Sequence, residues 1–241
     1  MPDKIFSNPR LAAIYDHFDG PRTDLLHYLS IAKELGSKSI VDIGCGTGSF
    51  ACKLAEEGYS VTAVDPADAS LNIARSKLSA ENVNWILGDA TSLGTSMADT
   101  AFMTGNVAQV FVSDDAWHRS LTSIHNALCM GGHFVFEVRD PSREDWKNWT
   151  KENTFTRLEI PNIGPVEGWC ELLDVSSDLV KFRWTYLFAS DGAIVTSLST
   201  LRFRDYDAIV SSLKRSGFVV DSVRDAADRP GKEFVFVCSK L

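Results

Sequence analysis

The run Ile40-Val41-Asp42-Ile43-Gly44-Cys45-Gly46-Thr47-Gly48 most constrains the fold of this chain. It is a short apolar strand that runs into a loop with glycine at every second position, and a helix begins near Ser49. Glycines spaced in this way let the backbone turn tightly and approach a ligand where a Cβ would collide. The helix that follows directs its free N–H groups and the positive end of its dipole toward whatever lies above the loop. The arrangement suits an anionic or polar group of a nucleotide-like ligand.

The pattern on either side extends this unit. Ser60–Asp65, Val83–Leu87, Thr100–Thr104 and His133–Val138 read as four further strands. Helical stretches separate them: Ser49–Glu57, Asp68–Leu78 with Asp68 as its N-cap, and a helix from Ser113 to Met130 stopped by Gly131-Gly132. Alternation of this kind predicts an α/β fold, a doubly wound and mostly parallel sheet covered by helices on both faces. Right-handed crossovers gather the strand-to-helix loops at one edge, where such sheets bind ligands.

Before this unit, residues 1–38 outline two amphipathic helices broken at Gly20-Pro21, a leader pair packed on or over the domain. Tyr15 on the first is placed either in the helix interface or over the ligand site. After Asp140, four stretches alternate as strands: Phe155–Ile160, Cys170–Val175, Leu179–Phe188 and Ala193–Arg204. Asp191-Gly192 between the last two is a hairpin signal. An antiparallel insertion at 150–204 is therefore expected on the ligand edge, where it can roof the site. A helix at Asp205–Ser216 and a strand pair, Phe218–Val223 and Glu233–Ser239, resume the first pattern. The expected organisation is a helical leader (1–38), a ligand-binding α/β domain (39–149 and 205–241) and an antiparallel cap (150–204).

Composition excludes several classes. A net charge of −8 over 241 residues lacks the basic stripe that follows a phosphate backbone, so no nucleic-acid partner is expected. No apolar run approaches the roughly 18 residues that suggest a membrane span. The opening Met1-Pro2-Asp3-Lys4-Ile5 lacks the apolar core of a signal peptide, so the expected location is the cytoplasm. The five cysteines are scattered and read as reduced thiols. The five histidines form no closely spaced pair, and no metal is expected.

The glycines alone do not choose a ligand. A phosphate-binding P-loop needs a lysine that is missing here. A dinucleotide frame is satisfied by Gly46-x-Gly48-x-x-Ala51, which keeps an NAD-type oxidoreductase open. Three acids favour another ligand. Asp42 at the first strand tip would repel a pyrophosphate but suits an ammonium or sulfonium. Asp65 ends the second strand, where a carboxylate can accept from both hydroxyls of a ribose. Asp89 follows the third, within reach of an adenine amine. Each alone is an ordinary cap or turn residue, but together they fit a cation-bearing adenosine ligand.

Val41–Gly48 resembles motif I of the class I S-adenosylmethionine-dependent methyltransferases. Val64-Asp65, Gly88-Asp89-Ala90 and Leu128–Val138 resemble the later motifs of that family. The resemblance spans about residues 35–140 plus the final helix and strands. It implies a Rossmann-like, seven-stranded sheet whose last strand runs antiparallel, with S-adenosylmethionine as cofactor. It further implies that Gly44, Cys45 and Gly46 lie against the methionine part, Asp65 with Pro66 on the ribose, and Asp89 with Ala90 on the adenine. Thr104 stands at the strand-four tip, where methyl and acceptor meet.

Candidate acceptor contacts are Tyr15, Asn106, Gln109, Arg139 and Trp146. Glu137 and Trp149 are placed beside them, with the tryptophans also readable as cap packing. The strand-four tip lacks the Asn/Asp-Pro-Pro-Tyr/Phe of amino-methylating enzymes that act on nucleobases or glutamine. Asp140 alone does not supply the acidic cluster of the metal-dependent type. The expectation is a metal-independent methyltransferase acting at O or N of a small molecule. A rival is a non-catalytic adenosyl-ligand sensor, in which the aromatic-rich insertion forms a homodimer interface.

Overall fold

A computed structural model describes all 241 residues. The first half runs α1 (Lys4–Ser7), α2 (Pro9–Asp19), α3 (Leu25–Glu34), β1 (Ser39–Ile43), α4 (Ser49–Glu56), β2 (Ser60–Asp65), α5 (Asp68–Ala74), β3 (Val83–Leu87), β4 (Ala98–Met103), α6 (Asp114–Ala127) and β5 (Leu128–Arg139). The second half runs α7 (Lys151–Thr154), β6 (Thr156–Ile160), β7 (Gly164–Ser176), β8 (Leu179–Phe188), β9 (Ile194–Arg202), α8 (Tyr206–Arg215), β10 (Phe218–Asp225) and β11 (Glu233–Lys240).

The expected α/β architecture forms as a seven-stranded sheet in the order β10-β11-β5-β4-β1-β2-β3. Only β11 runs against the others, pairing antiparallel with both β5 and β10. The strand order reverses at β1, which pairs in parallel with β2 on one side and β4 on the other. Loops leaving β1 and β4 therefore part and open a crevice at their carboxyl ends.

The pleat decides what each face buries. Along β1, Val41 and Ile43 join Phe134, Phe136, Trp117, Leu121 and Ile209 in a core that α6 and α8 cover. Ile40 points the other way, into a core with Tyr28, Ile31, Phe50, Phe102 and Val135 under α3 and α4. By the period of two, Asp42 shares the α3/α4 face with Ile40, and Glu137 shares it with Val135.

The antiparallel insertion is a separate four-stranded sheet, β6-β7-β8-β9. Gly192, at φ 70°, serves the turn between β8 and β9. The two leader helices do not form a pair with each other. Gly20, at φ 73°, turns the chain away, so that α3 packs on the central sheet. Helices α1 and α2 bridge to the second sheet instead: Ile5, Leu11 and Ile14 pack with Val166, Tyr186 and Phe188. Arg10 pairs with Asp191 at 2.8 Å, and Lys77 reaches Asp16 at 2.7 Å.

Several boundaries differ from the sequence pattern: α5 ends at Ala74 rather than Leu78, β4 runs Ala98–Met103 rather than Thr100–Thr104, and β7 begins at Gly164 rather than Cys170. Helix α6 stops at Ala127, and Gly131-Gly132 lie inside β5 rather than ending the helix. The register slips there, with Ala98 opposite Leu128 but Thr100 opposite His133. A Cβ on Gly132 would come within 2.9 Å of the Asp99 carbonyl. The glycines thus accommodate a bulge in the strand rather than a helix stop. Asp68 is not the N-cap of α5. Ala67 occupies that position, and its N–H is already taken by Asp65 Oδ1 at 2.8 Å.

Candidate active site

Gly44, Gly46 and Gly48 all have positive φ, at 70°, 53° and 77°. A Cβ on Gly44 would meet Val107 Cγ1 at 2.6 Å, and one on Gly48 would meet Trp85 Cη2 at 2.6 Å. A Cβ on Gly46 would meet nothing within 4 Å. The outer glycines are thus required by packing as well as by backbone conformation, whereas the middle one borders open space.

The loop's amides face the protein. Gly44 and Cys45 N–H donate to the Val64 carbonyl at 2.8 and 3.2 Å, and Gly48 N–H to the Cys45 carbonyl at 2.8 Å. Gly46 N–H donates to Asp65 Oδ2 at 2.9 Å. Phosphate cradles use such amides to hold the anion, and here these four already have acceptors. That counts against both the P-loop and the dinucleotide readings of the same glycines.

Carboxylates border the cavity instead. Asp42 is 1% exposed, and its Oδ2 finds no partner in the protein. Burial, with the Asp65 charge adding to it, pushes its pKa up to about 7 against the pull of Arg22. Asp65 accepts one backbone N–H on each oxygen, which leaves a lone pair on each. Its burial raises its pKa, and those N–H bonds oppose the rise. Asp89 Oδ1 caps the turn at Ala90–Ser92 by accepting from Thr91 N–H at 2.8 Å, so the turn-capping role and an open Oδ2 coexist. Burial and the neighbouring Asp42 and Asp65 charges raise the Cys45 thiol's pKa, keeping it neutral.

These groups border one cavity of about 670 Å³, within the usual range of small-molecule sites, about 300–1,000 Å³. Its wall brings together Tyr15, Asp42, Gly44, Cys45, Gly46, Asp65, Pro66, Asp89, Ala90, Thr104, Asn106 and Arg139. It also contains residues that sequence reasoning missed. Arg22, just past the Gly20-Pro21 break, carries no motif that would single it out. Phe182, Trp184 and Tyr186 of β8 also line it. Their i, i+2, i+4 spacing marks one face of a strand, which is the signal that could have found them.

Two of the named acceptor contacts lie elsewhere. Gln109 is buried behind the wall, where its Oε1 accepts from Arg139 Nη1 at 3.0 Å. Trp146 packs with Val180 and Phe203 in a small core of its own, with its ring edge-on to Phe203 at 4.5 Å. Both are held by the cap's docking onto the central sheet, which local sequence does not encode. Glu137 also stays out of the cavity and organises the strand-four tip from below. It accepts from the Tyr28 hydroxyl and from the Gly105 and Asn106 N–H groups. Burial next to Glu233 raises its pKa to about 7. Asn106, at φ 60°, donates from Nδ2 to Glu233 Oε1 at 3.1 Å, which fixes its amide orientation and leaves Oδ1 without a protein partner. His118 bonds Ser216 and His125 packs on Phe218, both away from the cavity. No three His, Cys, Asp or Glu side chains converge as a metal site would need, and no helix is long and apolar enough to cross a membrane.

The fold and this crevice define a doubly wound α/β protein with a small-molecule cavity at the carboxyl ends of its central strands. Residues 40–132 match the family model described as a methyltransferase domain. The chain is 29% identical over 123 residues to the cypemycin N-terminal methyltransferase of a Streptomyces species, covering 51% of this chain and 50% of that one. It spans about half or less of the length of the first curated relatives it matches. Among solved structures, the CcbJ methyltransferase of Streptomyces caelestis has the same fold, with a TM-score of 0.78 at 19% identity over 100% of both chains. CalS10 of Micromonospora echinaspora, an amino pentose methyltransferase involved in calicheamicin biosynthesis, superposes with a TM-score of 0.70 at 16% identity, covering 93% of this chain and 94% of that one. The matched methyltransferase domain, together with the fold shared with these structures, supports the class I S-adenosylmethionine-dependent methyltransferase family and S-adenosylmethionine as the cofactor.

Proposed function

We propose that the chain transfers a methyl group from S-adenosylmethionine to an oxygen or nitrogen of a small molecule. The observation that carries this reading is the division of polar groups around the cavity. The glycine loop spends its amides on the protein, while Asp42, Asp65 and Asp89 border the same space. Such a site favours a ligand that is cationic at one end and carries a ribose and an adenine, without phosphate.

In this reading Asp42 faces the α-ammonium of the methionine part, and Arg22 faces its carboxylate. Asp65 accepts from the ribose hydroxyls, with Pro66 beside it. Asp89 with Ala90 receives the adenine, and Gly44, Cys45 and Thr104 line the thioether arm. Residues 39–149 and 205–241 hold the cofactor, and 150–204 cap the acceptor.

The bound cofactor supplies an electrophilic methyl group on sulfur. The chain's part is to align the acceptor with that methyl and to exclude water. Asn106, held by Glu233 at the strand-four tip, shapes the wall against which the acceptor is aligned. Burial raises the pKa of the Tyr15 hydroxyl, with Asp19 adding to the effect, so Tyr15 contributes hydrogen bonds rather than a phenolate. A base is needed only for an acceptor that arrives protonated. The exposed Ile194 and Leu198, on one face of β9, are where a homodimer would form, and light scattering would read it.

Calorimetry tests the cofactor. S-adenosylhomocysteine should bind and NADH should not, and the reverse pattern would overturn the proposal in favour of an oxidoreductase. Methyl-labelled cofactor offered with a panel of amines and phenols then tests transfer. Turnover of any of them rejects the sensor alternative.

A further inference from the structure

The charged groups of the cavity wall are unevenly placed and unevenly satisfied. Asp42, Asp65 and Asp89 stand at or just past the tips of β1, β2 and β3. Arg139 stands at the tip of β5, on the opposite side of β4. The wall has two arginines. Arg22 is largely committed to the protein, because three of its five N–H groups are used: Nη1 donates to Asp19 at 3.0 Å, Nε to Asp24 at 2.9 Å and Nη2 to Asp24 at 2.7 Å, and the two left are those assigned above to the cofactor's carboxylate.

Arg139 is not spent. Its one hydrogen bond runs from Nη1 to Gln109 Oε1, and its Nε lies 3.8 Å from Glu233 Oε1, too long for a hydrogen bond. Glu233 is itself shared, since it accepts from Arg229 at 2.7 Å and from Asn106 at 3.1 Å. A guanidinium carries five N–H donors, so most of those on Arg139 are left for the cavity. Its side chain is only 23% exposed, so solvent serves them poorly, and burial lowers its pKa against the support of Glu233. The same cavity is lined by flat aromatic side chains: Tyr15, Phe182, Trp184 and Tyr186. The Trp149 ring centre lies 5.8 Å from the guanidinium.

From this geometry we infer that the acceptor is a flat, largely apolar molecule bearing an anionic oxygen group, carboxylate or phosphate, and that Arg139 receives that group. The inference rests on the methyltransferase reading above and deepens it, because the anionic group is a handle separate from the atom that is methylated. The guanidinium fork matches a two-oxygen anion in two parallel hydrogen bonds, and the aromatic wall takes the ring. Gln109 is a positioning residue here, since it fixes the fork without touching the ligand.

The test uses the full chain loaded with S-adenosylhomocysteine. The probes are 4-hydroxybenzoate, its methyl ester, 4-aminobenzoate, its ethyl ester, and phenyl phosphate, titrated by calorimetry. The acids should bind roughly tenfold or more tightly than their esters, the size of a charge-assisted hydrogen bond. Ranking phenyl phosphate against the benzoates tells which anion the site takes. Arg139→Gln should erase the preference for acids over esters while leaving S-adenosylhomocysteine affinity within about twofold. Arg139→Lys, which keeps the charge but loses the fork, should restore part of it. Three results overturn the inference: esters binding as well as acids, no acid binding at all, or a preference that survives Arg139→Gln. A wild-type protein that fails to take up S-adenosylhomocysteine at the loading step would instead sink the underlying methyltransferase reading, so the two failures are distinguishable.

Discussion

The Gly46 amide donates to Asp65 Oδ2 at 2.9 Å, so the carboxylate that ends β2 also holds the middle of the glycine loop. Its other oxygen holds the start of the next turn through Ala67 N–H. Asp65→Ala should therefore weaken S-adenosylhomocysteine binding by about 1.5–3 kcal/mol, the range for hydrogen bonds to a charged group. It should also lower the melting temperature, because two backbone donors lose their acceptor. Asp65→Asn keeps one acceptor oxygen and should fall between the two. Calorimetry with a thermal melt checks this, and unchanged affinity in the alanine variant would remove Asp65 from the cofactor site.

Asp42 predicts a pH dependence of binding. Its pKa of about 7 in the free protein comes first from burial and then from Asp65. A ligand ammonium favours the ionised form, so binding draws that pKa down. Affinity is then full above about pH 7 and falls as pH drops, by up to roughly tenfold per pH unit, for as long as the free protein is protonated and the complex is not. Asp42→Asn should bind more weakly at high pH and flatten the profile. A wild-type profile that is flat from weakly acidic to weakly alkaline pH would mean that Asp42 does not face the ligand's charge.

How much of this was legible in the sequence depends on the range of the interactions. The β1 loop, Asp65 and Asp89 were readable because glycine spacing and strand-end position are local signals. The sheet and its antiparallel last strand followed from alternation and the family resemblance. Gln109 and Trp146 were not readable as wall-backing and cap packing, because their surroundings come from strands nearly a hundred residues away or from the cap's docking angle. Gly131-Gly132 looked like a helix stop, since a bulged strand and a helix terminus call on the same backbone freedom. The aromatic face of β8 was visible as a period of two, but which face turns inward depends on how α1 and α2 tie the second sheet down.

The glycine loop separates a binding defect from a folding defect. Gly46→Ala places a Cβ in open space bordering the cavity, at the cost of a left-handed φ, about 1–2 kcal/mol for an L residue. Gly48→Ala bears a similar backbone cost and drives its Cβ to within 2.6 Å of Trp85 and 2.7 Å of Ala74, an overpacking worth about 1–3 kcal/mol more. Denaturant unfolding should thus rank Gly48→Ala as the less stable variant. Gly46→Ala should lose more S-adenosylhomocysteine affinity than its stability loss explains. The opposite ranking would place the ligand away from Gly46.

Glu137 should leave its mark on stability rather than on chemistry. It is 4% exposed and accepts from Gly105, Asn106 and Tyr28. Burial and Glu233 raise its pKa from 4.5 to about 7. Because the folded pKa lies above the unfolded value, the native state binds the extra proton between them. Stability from this group is therefore fully present below about pH 4.5 and is lost as pH rises through about 7, by roughly 3 kcal/mol in all. Glu137→Gln keeps an acceptor for the Gly105 and Asn106 amides and turns its Nε2 toward the Tyr28 oxygen. It should fold normally and remove that share of the pH slope, so urea unfolding near pH 5 and near pH 8 should differ less than in the wild type. Glu137→Ala leaves three buried donors without an acceptor and should cost about 3 kcal/mol or more at either pH. If Glu137→Gln keeps the wild-type slope, the proton lies elsewhere in the cluster, and Glu233, which pairs with Arg229 at 2.7 Å, is the group to change next.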